Sequence, residues 1–197
     1  MKIYCATTNP GKLLEFRAAS GTDIEIEPLP GLHSIDPPEE SGLTFEENAI
    51  IKALYYGAFA PTAPDGPFLI AEDSGLEVDD LCGEPGVYSA RFAGPNASEE
   101  DNNRLLLKRL EHLTDRTARY VCVIALVKDG ELVGTFRGTA EGKILAAPRG
   151  SGGFGYDPLF FYPPLGVTFG EAPAERKSEV SHRAKALAAL FARLRRT

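Results

Sequence analysis

A net charge of −7 over 197 residues excludes a protein that coats nucleic acid by neutralising phosphates, since that mode needs a basic face. It leaves room for a small anionic ligand held by a few local cations and a divalent metal. Three scattered cysteines, Cys5, Cys82 and Cys122, show no C-x-x-C spacing and exclude a disulfide framework or zinc cage. The chain also lacks the long apolar run of a membrane span and the leader pattern of a signal peptide, so a cytoplasmic protein without a membrane partner is expected.

The length suits one domain over residues 1–197, or two lobes on a shared sheet. Residues 2–7 read as a strand, and Thr8-Asn9-Pro10-Gly11 as a turn into a helix from Lys12 to Ala19 that buries Leu13, Leu14 and Phe16. Ile24 to Pro28 alternates like a half-buried strand. Thr44-Phe-Glu-Glu47 is a capping box for a helix running to Ala60, where Pro61 stops it. Phe68 to Ala71 reads as a short buried strand that ends in a turn at Glu72-Asp-Ser-Gly75. Ser98-Glu-Glu-Asp101 caps a helix to about Leu113, with Leu105, Leu106 and Leu110 inward. Arg119 to Lys128 and Leu132 to Thr139 form a hairpin about Asp129-Gly130, and a last helix covers Ser181 to Arg195. Cys5 and Cys122 fit strand cores, while His33 and His112 fit the surface. The interleaved pattern predicts an α/β fold with a mixed sheet flanked by helices.

Gly150, Gly152 and Gly155 spell G-x-G-x-x-G, the dinucleotide fingerprint, which has meaning only between a strand and a helix. Asp157-Pro158 and the extended Leu159-Phe-Phe-Tyr segment deny it that helix, so these glycines do not cradle a pyrophosphate. A loop carrying Phe154 beside Tyr156 and Asp157 suits a flat ring stacked on one face and hydrogen-bonded at its edge.

Three further groups carry chemistry. Thr7-Thr-Asn-Pro-Gly-Lys12 joins a strand to a helix and offers N–H groups, hydroxyls and an ammonium to an anion; the plainer reading is a turn with a capping Asn9. Its spacing excludes a Walker loop. Glu72, Asp73, Glu39 and Glu40 supply carboxylates suited to Mg²⁺, which takes a few of them together with water and substrate phosphates; separately, either segment reads as a solvated acidic loop. Lys52 interrupts an apolar helix face beside Asn48, and reads either as a snorkelling lysine or as a phosphate ligand. Arg176, Lys177, His182 and Arg183 gather donors around a helix start, where cations oppose the macrodipole unless a ligand or carboxylate compensates.

Together these residues resemble the inosine triphosphate pyrophosphatase family. The resemblance runs through Thr7 to Lys12, Leu43 to Asn48 with Lys52, Ala71 to Gly75, Pro85-Gly-Val-Tyr-Ser-Ala-Arg91, Ser151 to Pro158, and Lys177 with Ser181-His-Arg183. It implies an elongated mixed sheet with two lobes around a central nucleotide-binding cleft, a homodimer, and Mg²⁺-dependent hydrolysis of dITP, ITP or XTP to the monophosphate and pyrophosphate, which cleanses the nucleotide pool. By carry-over, Thr7, Thr8, Asn9, Pro10, Gly11, Lys12 and Ser74 hold the triphosphate, with Lys52 adding charge. Asp73 is proton acceptor and metal ligand, and Glu40, which immediately precedes Ser41-Gly42, is the second metal ligand. Phe154 stacks on the base, and Gly155, Tyr156, Asp157, Lys177, His182 and Arg183 line its edge and sugar side. Glu72 stands where many relatives carry a second aspartate.

Selectivity is expected at the purine 6-position, where donors from His182, Arg183 or backbone N–H groups pair with a carbonyl and clash with an amine. Three alternatives remain at this level: a septum-type pyrophosphatase of similar fold, whose Ser-x-Ser-Pro-Arg-Arg signature the residues at 7–12 do not match; a nucleotide sensor without chemistry; and a phosphatase releasing orthophosphate.

Overall fold

The computed structural model describes residues 1–20, 24–61 and 67–196. Seven strands, β1 (Lys2–Cys5), β2 (Glu25–Pro28), β3 (Phe68–Val78), β4 (Thr117–Lys128), β5 (Glu131–Ile144), β6 (Phe160–Tyr162) and β7 (Val167–Thr168), form a sheet in the order β2-β1-β3-β4-β5-β6-β7. β1 runs parallel to β2 and β3, whereas β6 is antiparallel to β5 and β7, so the mixed sheet is as expected. The helices are α1 (Pro10–Ser20), α2 (Phe45–Gly57), α3 (Glu99–Arg109), α4 (Ala174–Val180) and α5 (His182–Leu194). None is long and apolar enough to cross a membrane.

The chain divides into two compact units, one comprising Met1–Asp73, Cys122–Gly138 and His182–Thr197, the other Ser74–Val121 and Thr139–Ser181. Unit 1 has a core of Ile3, Cys5, Phe16, Ile70, Cys122, Ile124 and Leu126 with Leu187 and Leu190 of α5. Unit 2 has its own, built on Leu76, Leu106, Leu110, Tyr120, Phe160 and Phe169. Each fully buried Phe or Leu contributes roughly 1.5–3 kcal/mol through removal of apolar surface from water.

Local chemistry sets many of the element ends. Both capping boxes form: Thr44 accepts from Glu47 N–H and Ser98 from Asp101 N–H, each at 3.1 Å. Asp129 and Gly130 both take positive φ, 53° and 80°, the geometry of the two-residue hairpin turn. Pro10 occupies the first position of α1, where its missing N–H is no loss.

Three expectations fail. β3 does not stop before Glu72 but runs through Glu72, Asp73, Ser74 and Gly75 to Val78, so the acidic segment is mid-strand and not a turn. Leu14 is 66% exposed and Leu13 half-buried, so Phe16 alone of the three expected apolar residues is fully buried. α2 ends at Gly57 and α3 at Arg109, each short of its expected end. α4, unforeseen, precedes α5 directly.

Candidate active site

In unit 1, the strand–turn–helix loop behaves as the plainer reading expects. Asn9 Oδ1 caps α1 by accepting from Lys12 N–H at 3.1 Å, and Asn9 N–H donates to Thr7 Oγ1 at 3.2 Å. Thr8, Asn9 and Pro10 are exposed, and Thr7 and Gly11 half-buried; Pro10 has no N–H, and those of Asn9 and Lys12 are bonded within the loop. Lys12 turns its ammonium inward to an ion pair with Glu72, whose carboxylate is almost fully buried. Burial alone would raise the Glu72 pKa, but Lys12, Arg183 and Lys52 overcome it and pull the carboxyl down to about 2.

The adjacent side chain has the opposite balance. Asp73 Oδ1 lies 2.8 Å from Lys52 Nζ, and the same ammonium lies 3.3 Å from Glu40 Oε1. Burial and the neighbouring charges of Glu72 and Glu40 outweigh Lys52, so Asp73 is held above the usual carboxylate range. Lys52 is raised as well: burial disfavours its charge, but Asp73, Glu72 and Glu40 favour it more strongly. One ammonium among three carboxylates accounts for both directions.

Asn48 organises this group and was legible only as a polar neighbour of Lys52 one turn earlier on α2. Fully buried, its Oδ1 accepts from Gly42 N–H at 2.8 Å and its Nδ2 approaches Asp73 Oδ2 at 3.4 Å. A side chain at Gly42 would collide with Asn48 Oδ1, its Cβ falling 2.6 Å away. The loop bearing Glu40 is thereby fastened to the start of α2.

His182 and Arg183 open α5, both buried, and Arg183 Nη1 donates to Glu15 Oε2 of α1 at 2.9 Å. Carboxylates thus meet the cation that the helix dipole would disfavour. Cys122 donates weakly to Glu72 Oε2 at 3.6 Å, and burial pushes its thiol pKa up, as it does for Cys5. Glu15 gave no signal in the sequence, since its partner lies far along the chain.

Unit 2 contains the Gly150–Pro158 segment. Phe154 is half-buried, its N–H donating to Asp157 Oδ2 at 2.8 Å. Lys177, buried on α4, donates to the same oxygen at 2.6 Å and sits 4.9 Å from the centroid of the Phe154 ring. Gly150 and Gly153 have positive φ and no space for a side chain: a Cβ would meet Gly170 backbone at 2.2 Å in one case and Asp157 Oδ2 at 2.0 Å in the other. Tyr156 is a core residue whose hydroxyl donates to Ser89 O at 2.8 Å, so that group is already committed inside the unit. Ser74 is half-buried in β3.

Among the described residues, no group of three or more His, Cys, Asp or Glu is arranged to hold a metal ion. The two carboxylates that converge are Asp73 and Glu40, through Lys52.

A mixed seven-stranded sheet, an exposed strand–helix loop after β1 and a buried ammonium–carboxylate group define an α/β protein. Residues 3–193 match the model of the Ham1 family, and the chain belongs to that family. It is 47% identical to a dITP/XTP pyrophosphatase of Acidobacterium capsulatum, with 98% of both chains covered, and 45% identical to one of Thermus thermophilus, covering 97% of this chain and 90% of the relative. The Ham1 protein of Staphylococcus aureus superposes with a TM-score of 0.84 at 42% identity, covering 99% of this chain and 98% of that one. A HAM1 protein from Coxiella burnetii gives 0.86 at 36% identity, with both chains fully covered.

Proposed function

We propose that this chain hydrolyses non-standard purine nucleoside triphosphates, dITP, ITP and XTP, to the monophosphate and pyrophosphate. The observation that carries the reading is the placing of Lys52 Nζ 2.8 Å from Asp73 and 3.3 Å from Glu40, in a chain similar over nearly its whole length to dITP/XTP pyrophosphatases. Water attacks the α-phosphorus, a new P–O bond forms, and the bond to the bridging oxygen breaks with its electrons leaving on pyrophosphate. The water's proton passes to Asp73 Oδ, whose raised pKa fits a proton acceptor better than the depressed Glu72 beside it.

Glu40 and Asp73 fit Mg²⁺, which favours one or two carboxylates plus water and phosphate oxygens over a complete protein cage. Bound there, Mg²⁺ would offset the charge developing on the phosphates. Residues 7–12 present to the triphosphate the threonine hydroxyls and those N–H groups not already bonded within the loop. Lys52 both orients Asp73 and adds positive charge. Phe154 stacks on the base, backed by the Lys177 ammonium, and Asp157 fixes the Phe154 backbone. Gly155 flanks the stacking ring, Tyr156 braces it through the core contact of its hydroxyl with Ser89 O, and His182 and Arg183 act through their fixed positions at the start of α5. A homodimer in the cytoplasm completes the reading.

The test is incubation of the purified protein with Mg²⁺ and a panel of dITP, XTP, dATP, dGTP, dTTP and dUTP, with monophosphate, pyrophosphate and orthophosphate all quantified. Pyrophosphate from dITP and XTP in preference to the others is expected. Orthophosphate as first product, or preference for dTTP and dUTP, overturns the reading, as does binding without any product.

A further inference from the structure

We propose that Asn103 is a positioning residue for base recognition, fixing from α3 the backbone that presents the Phe154 ring. The inference rests on the reading that Phe154 stacks on the purine. Asn103 Nδ2 donates to Gly155 O at 2.9 Å, a contact spanning 52 positions of sequence. Phe154 N–H is held by Asp157 Oδ2 on the other side, so the Phe154-Gly155 pair is tethered at both ends.

The tether matters because Gly155 stands within the turn that Asp157 N–H closes onto Phe154 O at 3.3 Å, and Asn103 is the side chain that fixes the carbonyl of this glycine from another element. Its φ is +63°, and the space where a Cβ would stand is open to 4 Å, unlike Gly153, which is wedged against Asp157. A glycine in that conformation has no side chain to help hold its peptide plane, so the bond from Asn103 to its carbonyl adds to what the turn alone fixes. Asn103 in turn sits on a rigid support. The neighbouring Asn102 is buried, with Oδ1 accepting from Ala93 N–H at 2.8 Å and Nδ2 donating to Ala90 O at 3.2 Å, and the Ser98–Asp101 capping box fixes the start of the helix. The segment that Asn102 grips also contains Ser89, whose carbonyl accepts from Tyr156 OH. Residues 102 and 103 therefore hold two segments, and Gly155 depends on the second of them.

Because the chain contains no tryptophan, Phe154→Trp installs a single tryptophan in the loop, excited selectively beyond the absorption of the tyrosines. In that protein, Asn103→Ala is expected to shift the emission maximum and lower the anisotropy. In the otherwise unaltered protein, Asn103→Ala should raise KM for dITP by about 3- to 10-fold, the equivalent of one neutral hydrogen bond, with kcat retained. Asn103→Asp keeps the volume but sets a carboxylate oxygen against Gly155 O, and should lose at least as much. In a Phe154→Ala background, Asn103→Ala should add no further rise in KM.

An Asn103→Asp enzyme with unaltered KM and an unshifted tryptophan signal overturns the inference, as do losses that multiply in the double variant. Should Phe154→Ala leave KM unchanged, the stacking reading fails; a tryptophan signal that still responds to Asn103 then separates that failure from failure of the tether.

Discussion

The two charged centres of the molecule are built on opposite principles. Unit 1 sets one ammonium, Lys52, between the buried Asp73 and the part-exposed Glu40, with Glu72 alongside already paired to Lys12, so that two carboxylates share the Lys52 charge. In unit 2, Lys177 is joined to Asp157 at 2.6 Å, opposite charges in balance, and the carboxylate also takes Phe154 N–H. An unbalanced buried cluster is costly by itself and becomes favourable when a further cation arrives, whereas a balanced pair is complete and acts as a fastener. Under the proposed function the contrast gives chemistry to unit 1 and geometry to unit 2, and it is open to attack at either end.

The largest effect is expected at Asp73. Asp73→Asn preserves volume but removes the proposed proton acceptor, and turnover of dITP should fall roughly 10³-fold with nucleotide binding still measurable by titration. Near-normal turnover would mean that the acidic centre is not where the chemistry happens. At the other centre, Lys177→Met leaves the buried Asp157 carboxylate without its ammonium and should cost about 3–5 kcal/mol in urea denaturation. Adding Asp157→Asn, which keeps an acceptor for Phe154 N–H, should recover most of that loss. A Lys177→Met protein as stable as its parent would remove the fastener from the account.

The pH dependence of stability sharpens the comparison further. Glu72 has an ordinary pKa of 4.5 and is depressed to about 2 in the fold, so its ionised form stabilises the native state fully above pH 4.5, and that contribution is lost as pH falls towards 2. Urea denaturation of metal-free protein should show a gap between the parent and Glu72→Gln on the order of 3 kcal/mol at neutral pH that closes across this window. A gap independent of pH would show that Lys12 and Arg183 are held by packing instead of charge.

Features governed by short-range chemistry were open to reading: both capping boxes, the Asp129-Gly130 turn, the burial of Cys5 and Cys122, and the start of α5. The expected turn at Glu72-Asp-Ser-Gly75 follows from its composition, whereas Lys12, Lys52 and Arg183, arriving from α1, α2 and α5, make two carboxylates tolerable inside a strand. The same limit applies to the site. The donors of the loop at 7–12 follow from its position between strand and helix, but the pairing of Lys12 with Glu72 or of Arg183 with Glu15 depends on tertiary placement. Tyr156 was expected to offer its hydroxyl to a ligand. Its commitment to Ser89 O follows from a partner 67 residues away.

The smallest effects discriminate between the units through their helices. Thr44 and Ser98 are N-caps of the same kind, each accepting from the third helical N–H at 3.1 Å, and each replacement by Ala should cost about 1 kcal/mol. The cost is shared, but what hangs on each helix is not. α2 carries Asn48 and Lys52, which hold Asp73, so Thr44→Ala should lower kcat by a few-fold with KM nearly unchanged. α3 carries Asn103, which holds Gly155, so Ser98→Ala should raise KM and spare kcat. Assays well below the melting temperature keep unfolding out of the comparison. Crossed results, with kcat answering to Ser98 and KM to Thr44, would reverse the division of labour, because equal losses of helix stability then act on opposite terms of the reaction.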